Sequence, residues 1–452
     1  MAEWLKDERG IVLVNTATNS ASEQAHKQLV ALQTPGHKQI RPMRVISLRS
    51  EKFEPSEYEV NSIIARLDEE YPMELDQETK DLIGRFKRTR TRWEELRSHC
   101  GGEILKLDNE RKEEFIQSRK WLEDALQTLQ QVAIRLARPN VLLCTESVAL
   151  KIVSRDGPFS DLVHSAEREG RLAIFNDESS QLAPELPLLW ALLLPGAYRG
   201  GYYGDPAQLP PWTSASGGEK EGLASTLQRA RRVPMEFLGT NIRQDPALVD
   251  LLSHLFYGGH MVPVQFPRHN HLREYLPWPN PAIPFMHVHV EGTAEPALLT
   301  SLKNDDEADF IDALCRKLSR RFSEKEMAVI SLYRGKCEAL KERGTPATLL
   351  TADASQGNEF LVVIIATTKT GNIGSRFLTD RKRVNVALSR GRNALISVGD
   401  NRPLSKDPTW KEIQDHTHAS VEHKITSDGA KYKILQVLKF KLKLELVIYA
   451  RF

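Results

Sequence analysis

Short runs of apolar residues recur along this chain, with polar loops at their ends and amphipathic helical stretches between them. A first series of candidate buried strands covers residues 11–14, 44–48, 141–144, 172–175 and 198–203. A second series covers residues 235–238, 285–290, 327–332, 361–367 and 394–398. Because strands that alternate with helices are typical of parallel sheets covered on both faces, the pattern predicts two α/β domains.

Residues 55–138 interrupt this alternation. The stretches 76–86 and 109–137 are rich in Leu, Glu, Lys, Arg and Gln at helical spacing, and they predict an antiparallel helical insertion in the first domain. We expect the first domain to span 1–220, with the boundary in the Ser- and Gly-rich stretch 213–222, and the second domain to span 221–402. Residues 403–452 are expected to form a polar tail, whose final run, 438–452, alternates like a strand.

Composition narrows the class of protein only modestly. The chain has 452 residues, of which 40% are hydrophobic and 27% charged, which is ordinary for a soluble globular protein. We expect no membrane span and no signal peptide, because apolar runs are short and the first residues are polar. Four scattered cysteines fit neither a disulfide framework nor a zinc site and favour the cytoplasm or the nucleus. A net charge of +2 does not by itself indicate nucleic acid.

Two adjacent carboxylates, Asp177 and Glu178, follow the predicted strand 172–175. Open α/β sheets bind ligands at the carboxyl ends of their strands. An Asp-Glu pair there suits a nucleotide hydrolase, in which the first residue holds Mg²⁺ through water and the second polarises the attacking water. Taken alone, an Asp-Glu pair is more often a solvated turn.

Residues 204–211, Gly-Asp-Pro-Ala-Gln-Leu-Pro-Pro, follow the next predicted strand. Such a Gly-Asp-Pro turn alone is usually only a turn. Here Gln208 lies three residues after Asp205, where it could sense a phosphate oxygen at the same sheet edge. The two segments, one strand apart, resemble motifs II and III of the superfamily 1 helicases, in the branch of the nonsense-mediated-decay helicase and senataxin.

Further segments resemble this family in the same order. Residues 12–23 resemble motif Ia, a strand followed by a polar loop, and the resemblance implies that Thr16, Asn19 and Ser20 contact the backbone of a bound strand. Alone, this is only a loop of Thr and Asn. Residues 329–336 resemble the family's strand-then-Tyr segment, although a plain strand end is an equally good interpretation.

Residues 238–259 resemble the family's arginine-bearing motif before a short helix. Asp245 is suited to the N-cap and Pro246 to the first helical position, so the start of the helix is locally specified. The resemblance implies that Arg243 points at the γ-phosphate of ATP. The family usually has an aromatic residue where this chain has Ile242, so the resemblance implies no stacking at this position.

Residues 351–399 carry the most diagnostic resemblance. Gln356, Gly357 and Glu359 match motif V, which couples phosphate to the bound strand. Residues 385–392, Asn-Val-Ala-Leu-Ser-Arg-Gly-Arg, match motif VI, in which Arg390 would be the arginine finger that reaches the γ-phosphate. The family usually has Ala where Gly391 stands, and on a helix this Gly would cost about 1 kcal/mol.

Together these matches imply two RecA-like α/β domains of the P-loop NTPase fold, the first N-terminally incomplete and carrying the helical insertion. They imply an ATP-dependent helicase or translocase acting 5′ to 3′ on single-stranded RNA or DNA, with RNA favoured and ribonucleoprotein or RNA-decay factors as partners. ATP and Mg²⁺ would be bound between the domains. The catalytic set would be Asp177 (Mg²⁺), Glu178 (general base) and the γ-phosphate contacts Gln208, Arg243 and Arg390, with Gly357 and Glu359 also at the nucleotide.

The sequence contains no GxxxxGK[ST] phosphate-binding loop, since its only Gly-Lys pair is Gly335-Lys336. Motif Ia begins about ten residues after Met1, and the loop normally precedes motif Ia. We therefore expect either an N-terminally truncated form of a working helicase, which the abrupt start favours, or a non-catalytic module that binds nucleic acid or protein on the same scaffold. A P-loop GTPase or a nuclease fits poorly, because no guanine-specifying or clustered carboxylate motif is present.

Overall fold

The computed structural model describes residues 10–31, 40–48, 56–99, 104–211, 227, 235–264, 272, 276, 278–290, 292–297, 301–371 and 376–417. The chain divides into two compact units. The first comprises Met1–Pro206 and Pro210–Arg232, and the second comprises Ala207–Leu209 and Val233–Phe452. The predicted boundary stretch 213–222 lies outside the described residues, as does the predicted strand 438–452. No helix in the described part of the chain is long and apolar enough to span a bilayer.

The first unit contains a five-stranded, fully parallel sheet of order β2-β3-β1-β4-β5. Its strands are β1 (Ile11–Thr16), β2 (Pro42–Arg44), β3 (Val141–Thr145), β4 (Leu172–Asp177) and β5 (Arg199–Tyr202). Its described helices outside the insertion are α1 (Asn19–Ala31), α5 (Glu146–Ile152), α6 (Ser160–Arg168) and α7 (Leu186–Leu193). Every predicted strand of the first series is present, although only the first residue of 44–48 pairs in the sheet.

The described α-helices of the insertion between β2 and β3 are α2 (Val60–Glu70), α3 (Gln77–His99) and α4 (Asn109–Ala137). The start of α4 is fixed locally, because the Asp108 carboxylate accepts a hydrogen bond from the Arg111 N–H at 2.8 Å. Alternate strand residues divide the sheet's apolar side chains, since Leu13 packs with the insertion helices and Val12 packs with α1. The helices predicted within 55–138 are therefore confirmed.

A buried ion pair ties the insertion to the sheet. The Arg44 Nη1 lies 2.6 Å from the Glu59 Oε1, and both side chains are almost fully buried. The Arg44 Nη2 also donates to the Asn19 carbonyl at 3.0 Å. Because buried charges must be paired, this arrangement fixes the entry to α2 against the loop that follows β1.

The second unit contains a parallel sheet of order β12-β11-β13-β14-β8, which is also five-stranded. The described strands of this unit are β6 (Thr240–Asn241), β7 (Val262–Pro263), β8 (Phe285–His289), β9 (Glu295–Ala297), β10 (Ser301–Lys303), β11 (Met327–Ser331), β12 (Thr348–Thr351), β13 (Phe360–Ala366) and β14 (Gly391–Gly399). Its described helices are α8 (Pro246–Phe256), α9 (Asp305–Leu318), α10 (Arg334–Glu342), α11 (Ala352–Ser355), α12 (Arg376–Thr379), α13 (Arg381–Ser389), α14 (Asn401–Leu404) and α15 (Pro408–Thr417). Apolar side chains fill both faces of the sheet, as expected for a doubly covered parallel sheet.

Two local predictions in this unit are wrong. Residues 235–238 form no strand; Met235, Phe237 and Leu238 are 64%, 59% and 81% exposed, and pairing begins only at β6. Residues 403–417 are not tail, because α14 and α15 place Leu404, Trp410 and Ile413 in the core of the second unit. The helix predicted after Asp245 is confirmed, with the Asp245 carboxylate accepting from the Ala247 N–H at 3.0 Å.

Candidate functional site

The carboxyl edge of the first sheet brings Asp177 into register with Thr16, because β1 and β4 run parallel and end together. Burial raises the pKa of the Asp177 carboxyl, and a hydrogen bond from the Glu178 N–H partly offsets this rise. Glu178 follows with φ of 52°, in the left-handed region that a residue with a side chain rarely adopts. The two predicted catalytic residues are therefore adjacent in a turn in which the Asp177 carboxyl is desolvated and the Glu178 backbone is strained, and such features are common at functional sites.

Buried polar side chains brace this turn from behind. The Asn176 Oδ1 accepts hydrogen bonds from the Asn15 Nδ2 at 3.1 Å and from the Trp190 Nε1 at 3.0 Å. Asn15 lies on β1 and Trp190 on α7, so three elements converge on the residue before Asp177. The sequence did not predict this set, and its signal there is Asn176, which follows the apolar run 172–175.

The loop after β4 is joined to the loop after β5. The Ser179 N–H donates to the Tyr203 carbonyl at 2.7 Å, and the Ser179 hydroxyl donates to the Asn176 carbonyl at 2.8 Å. A Cβ on Gly204 would lie 2.8 Å from the Ser179 nitrogen and 2.9 Å from the Ser180 nitrogen. Only glycine therefore allows the two loops to approach this closely. The segments that resemble motifs II and III are thus held together by backbone contacts.

This edge suits a hydrated magnesium ion better than a cage built only of protein groups. Among the described residues, no cluster of three or more His, Cys, Asp or Glu could hold a metal. Mg²⁺ commonly uses one or two carboxylates together with substrate phosphates and waters, and Asp177 is placed to provide one carboxylate. The residues therefore fit a cation that arrives with a nucleotide.

The polar loop after β1 places its three predicted strand contacts differently. Thr16 is fully buried, and two carbonyl oxygens lie within hydrogen-bond distance of its hydroxyl donor, that of Thr18 at 3.0 Å and that of Cys144 at 3.2 Å. Asn19 and Ser20 are partly exposed at the start of α1. Thr16 thus shapes the loop, while Asn19 and Ser20 lie where a ligand could reach them.

Arg390 in the second unit is only 3% exposed and donates several hydrogen bonds. Its guanidinium reaches the Val386 carbonyl at 3.1 Å, the Asn358 carbonyl at 3.2 Å and the Ser389 hydroxyl at 2.7 Å. Residues 207–209 group with this unit, and the Gln208 Oε1 accepts from the Arg390 Nη2 at 3.2 Å. The structure therefore brings together two residues predicted separately as phosphate contacts.

Arg243 and Glu359 form a second, more exposed part of the same region. The Arg243 Nε lies 3.6 Å from the Glu359 Oε2, and the Arg243 Nη2 donates to the Ser389 carbonyl at 2.9 Å. The Arg392 Nη1 donates to the other Glu359 oxygen at 3.3 Å. Each of these side chains is about one-third exposed. Glu359 thus lies between two guanidinium groups, and the set can present positive charge to an anion.

The chain around Gly391 differs from the helical prediction. Helix α13 ends at Ser389, Arg390 caps it, and Gly391 begins β14. The expected loss of helix stability at Gly391 therefore does not apply. A Cβ there would lie 2.5 Å from the Leu395 Cδ2 and 2.9 Å from the Ala394 carbonyl oxygen, so close packing accounts for the glycine.

The turn before β13 holds the remaining predicted residues. Gln356 is 3% exposed and follows α11, and Gly357 has φ of 81°, which requires the freedom of glycine. The Thr351 hydroxyl accepts from the Ala354 N–H at 3.2 Å and caps α11. Gln356 and Gly357 therefore set the path of the backbone that leads to Glu359.

This chain is similar to one domain family model and to several known proteins, among them two named helicases. Residues 220–402 match the family model described as "AAA domain". The chain is 31% identical over 256 residues to an uncharacterized ATP-dependent helicase of Caenorhabditis elegans, a match that covers 53% of this chain and 16% of that protein. It is 28% identical over 265 residues to regulator of nonsense transcripts 1 of Dictyostelium discoideum, covering 54% and 19%. It is 31% identical over 229 residues to the mouse 5'-3' DNA helicase ZGRF1, covering 47% and 12%. The matches thus span less than a fifth of these three relatives.

Proposed function

We propose, because this chain belongs to the superfamily 1 helicase family, that it works as an ATP-dependent translocase that moves along and unwinds nucleic acid, with RNA as its substrate. The observation that supports this most directly is the turn at Asp177 and Glu178, with its buried polar brace and its backbone link to the next loop. Such a construction holds two carboxylates in one place at the ligand-binding edge of a parallel sheet.

In the first unit we assign separate roles to the two carboxylates. When bound, ATP and Mg²⁺ supply an electrophilic phosphate whose negative charge the cation offsets. Asp177 would hold the cation through water. The positive charge of the cation would offset the cost of burying the Asp177 carboxylate. Glu178 would accept a proton from the attacking water.

In the second unit we assign phosphate contacts to Arg243 and Arg390, with Gln208 as a sensor. Arg390 is saturated with hydrogen bonds in this structure, so binding a phosphate would require it to exchange the Gln208 amide oxygen for an anionic oxygen. The Glu359 carboxylate lies between the guanidinium groups of Arg243 and Arg392 and holds them close to each other. Gly357 allows the backbone turn that leads to Glu359.

We propose that the strand is held mainly through its phosphates by Asn19 and Ser20 in the first unit and by the backbone around Gln356 in the second. Binding of this kind is sensitive to salt and tolerant of sequence. One relative is named a regulator of nonsense transcripts and another a 5'-3' DNA helicase. On that basis we propose RNA as the first substrate to test, 5′ to 3′ movement, RNA-decay factors as partners, and action in the cytoplasm or nucleus.

Phosphate release by the full chain, measured with and without single-stranded RNA or DNA, tests this proposal. We expect release that single-stranded RNA stimulates and that Glu178→Gln lowers by at least about 100-fold, because general-base catalysis contributes about that factor. Glu185→Gln is the control, since Glu185 is an exposed acidic residue outside the turn. Strand binding without turnover would contradict the enzyme and favour a non-catalytic binding module. Stimulation by DNA alone would reassign the substrate.

A further inference from the structure

A groove of about 970 Å³ opens in the first unit beside the carboxyl ends of β1 and β3. Its floor comes from the sheet side, where Asn19, Ser47 and Ser147 present amide and hydroxyl groups. One wall comes from the insertion helix α4, which contributes Arg119 and Glu123. The helical insertion is therefore part of a concave surface at the edge of the sheet where ligands bind.

The chemistry of this groove suits a sugar–phosphate backbone. Arg119 on α4 and Lys151 on α5 provide positive charge, and the neutral polar groups between them can donate hydrogen bonds to phosphate oxygens. None of the described lining residues carries an aromatic ring, so the groove offers no platform for base stacking. Contacts in it would accordingly be made to phosphate and sugar.

Two carboxylates also face this groove. The Glu123 Oε1 lies 3.1 Å from the Arg119 Nε, and their side chains are 49% and 28% exposed. Burial raises the pKa of the Glu146 carboxyl, and Glu185 adds a like charge that raises it further, while the Ala183 N–H acts in the opposite direction. Glu123 is therefore the anion that competes most directly with a phosphate for Arg119.

The insertion is positioned firmly enough for such a role. Arg44 is buried and bonds both Glu59, at the entry to α2, and the carbonyl of Asn19 on the groove floor. The insertion and the loop after β1 therefore share one buried anchor. Helix α4 packs against α2, so the groove wall is connected to this anchor through α2.

We propose that this groove holds the sugar–phosphate backbone of the single strand and that Arg119 of the helical insertion contacts a phosphate there. This inference rests on the proposed nucleic-acid function and adds the insertion to the binding surface. Glu123 limits the affinity by competing for the same guanidinium, so the pair sets how tightly the strand is held.

The test measures binding of fluorescent oligouridine to the full chain across a series of salt concentrations. We expect Arg119→Gln to weaken binding by roughly five-fold, the upper end for one partly exposed ion pair. It should also reduce the salt slope by about 0.7, the value for one lost phosphate contact on a single strand. Glu123→Gln should instead tighten binding. Arg111→Gln is the matched control, because Arg111 is an exposed residue of the same helix, paired with Asp108, outside the groove.

The outcomes separate this inference from the proposed function. If the wild-type chain binds the strand and Arg119→Gln gives the same affinity and slope as Arg111→Gln, the inference is overturned and the proposed function stands. If the wild-type chain binds no single strand, both are overturned. Thermal melting checks folding, and Glu123→Gln, which removes no packing volume, keeps the test decisive if Arg119→Gln unfolds.

Discussion

Asp177 shows at the scale of one residue how this site opposes the stability of the fold. Burial disfavours its charge, and among the described residues a hydrogen bond from the adjacent Glu178 N–H partly compensates. Glu178 itself adopts a backbone conformation that costs on the order of 1 kcal/mol. Residues chosen for packing alone would avoid both features, which is why we regard them as a signature of function.

Asp177→Asn should stabilise the chain at neutral pH. The folded-state pKa of Asp177 lies above its usual value of 3.8, so its contribution to stability is fully present below pH 3.8 and is lost as pH rises through the folded pKa. The variant has no carboxyl group to ionise at this position, so its stability shows no such loss. Urea unfolding of both chains from pH 4 to pH 8 should therefore show a stability difference that grows with pH, in favour of Asp177→Asn. An unchanged or reversed difference at neutral pH would show that the carboxylate is compensated.

Single residues of the site were predictable where their order along the chain carried the information. The motifs predict roles for Asp177, Glu178, Arg243 and Arg390, and those roles stay predictions. The bond between Arg390 and Gln208 was not predictable, because it joins residues 182 positions apart. The exchange of partners that we propose for Arg390 could emerge only from the structure.

Among the elements, buried strands and capped helices were the most predictable. Continuous apolar runs identify β1, β3, β11 and β13, because strands covered on both faces need such runs. The strand β12 was missed, since its four residues are only partly buried at the edge of the sheet. The prediction of a strand at 235–238 is wrong, because a short apolar run does not show whether anything covers it.

Helix α15 is a structural part of the second unit, and removing its central aromatic residue should show this. Trp410 is 1% exposed, and its Nε1 donates to the Leu378 carbonyl at 3.0 Å. We expect Trp410→Ala to lower the free energy of unfolding by about 3–5 kcal/mol, as for other buried aromatic residues. Chemical denaturation measures this, with the exposed neighbour Lys411→Ala as control. Equal stabilities of the two variants would show that α15 does not stabilise the second unit and that residues 403–417 form part of the tail.

For the whole molecule, sequence and structure agree on two α/β units and on a helical insertion in the first. The sequence could not show that α4 forms a wall of the groove, because Arg119 is about a hundred residues from the loop after β1 and lies on a helix that otherwise has the composition of a solvated face. Nor could it show the buried anchor of Arg44 and Glu59, since both residue types are usually exposed.

The proposed translocase function requires that binding of a nucleotide changes the affinity of this chain for a single strand. The most direct measurement is the Kd of the full chain for oligouridine with and without Mg²⁺ and a non-hydrolysable ATP analogue. We predict a change of at least about five-fold, with a reciprocal change in nucleotide affinity, because coupling between two binding sites is mutual. Glu178→Gln should keep this coupling, since it removes hydrolysis and not binding. Strand binding that stays the same at saturating nucleotide would contradict the account.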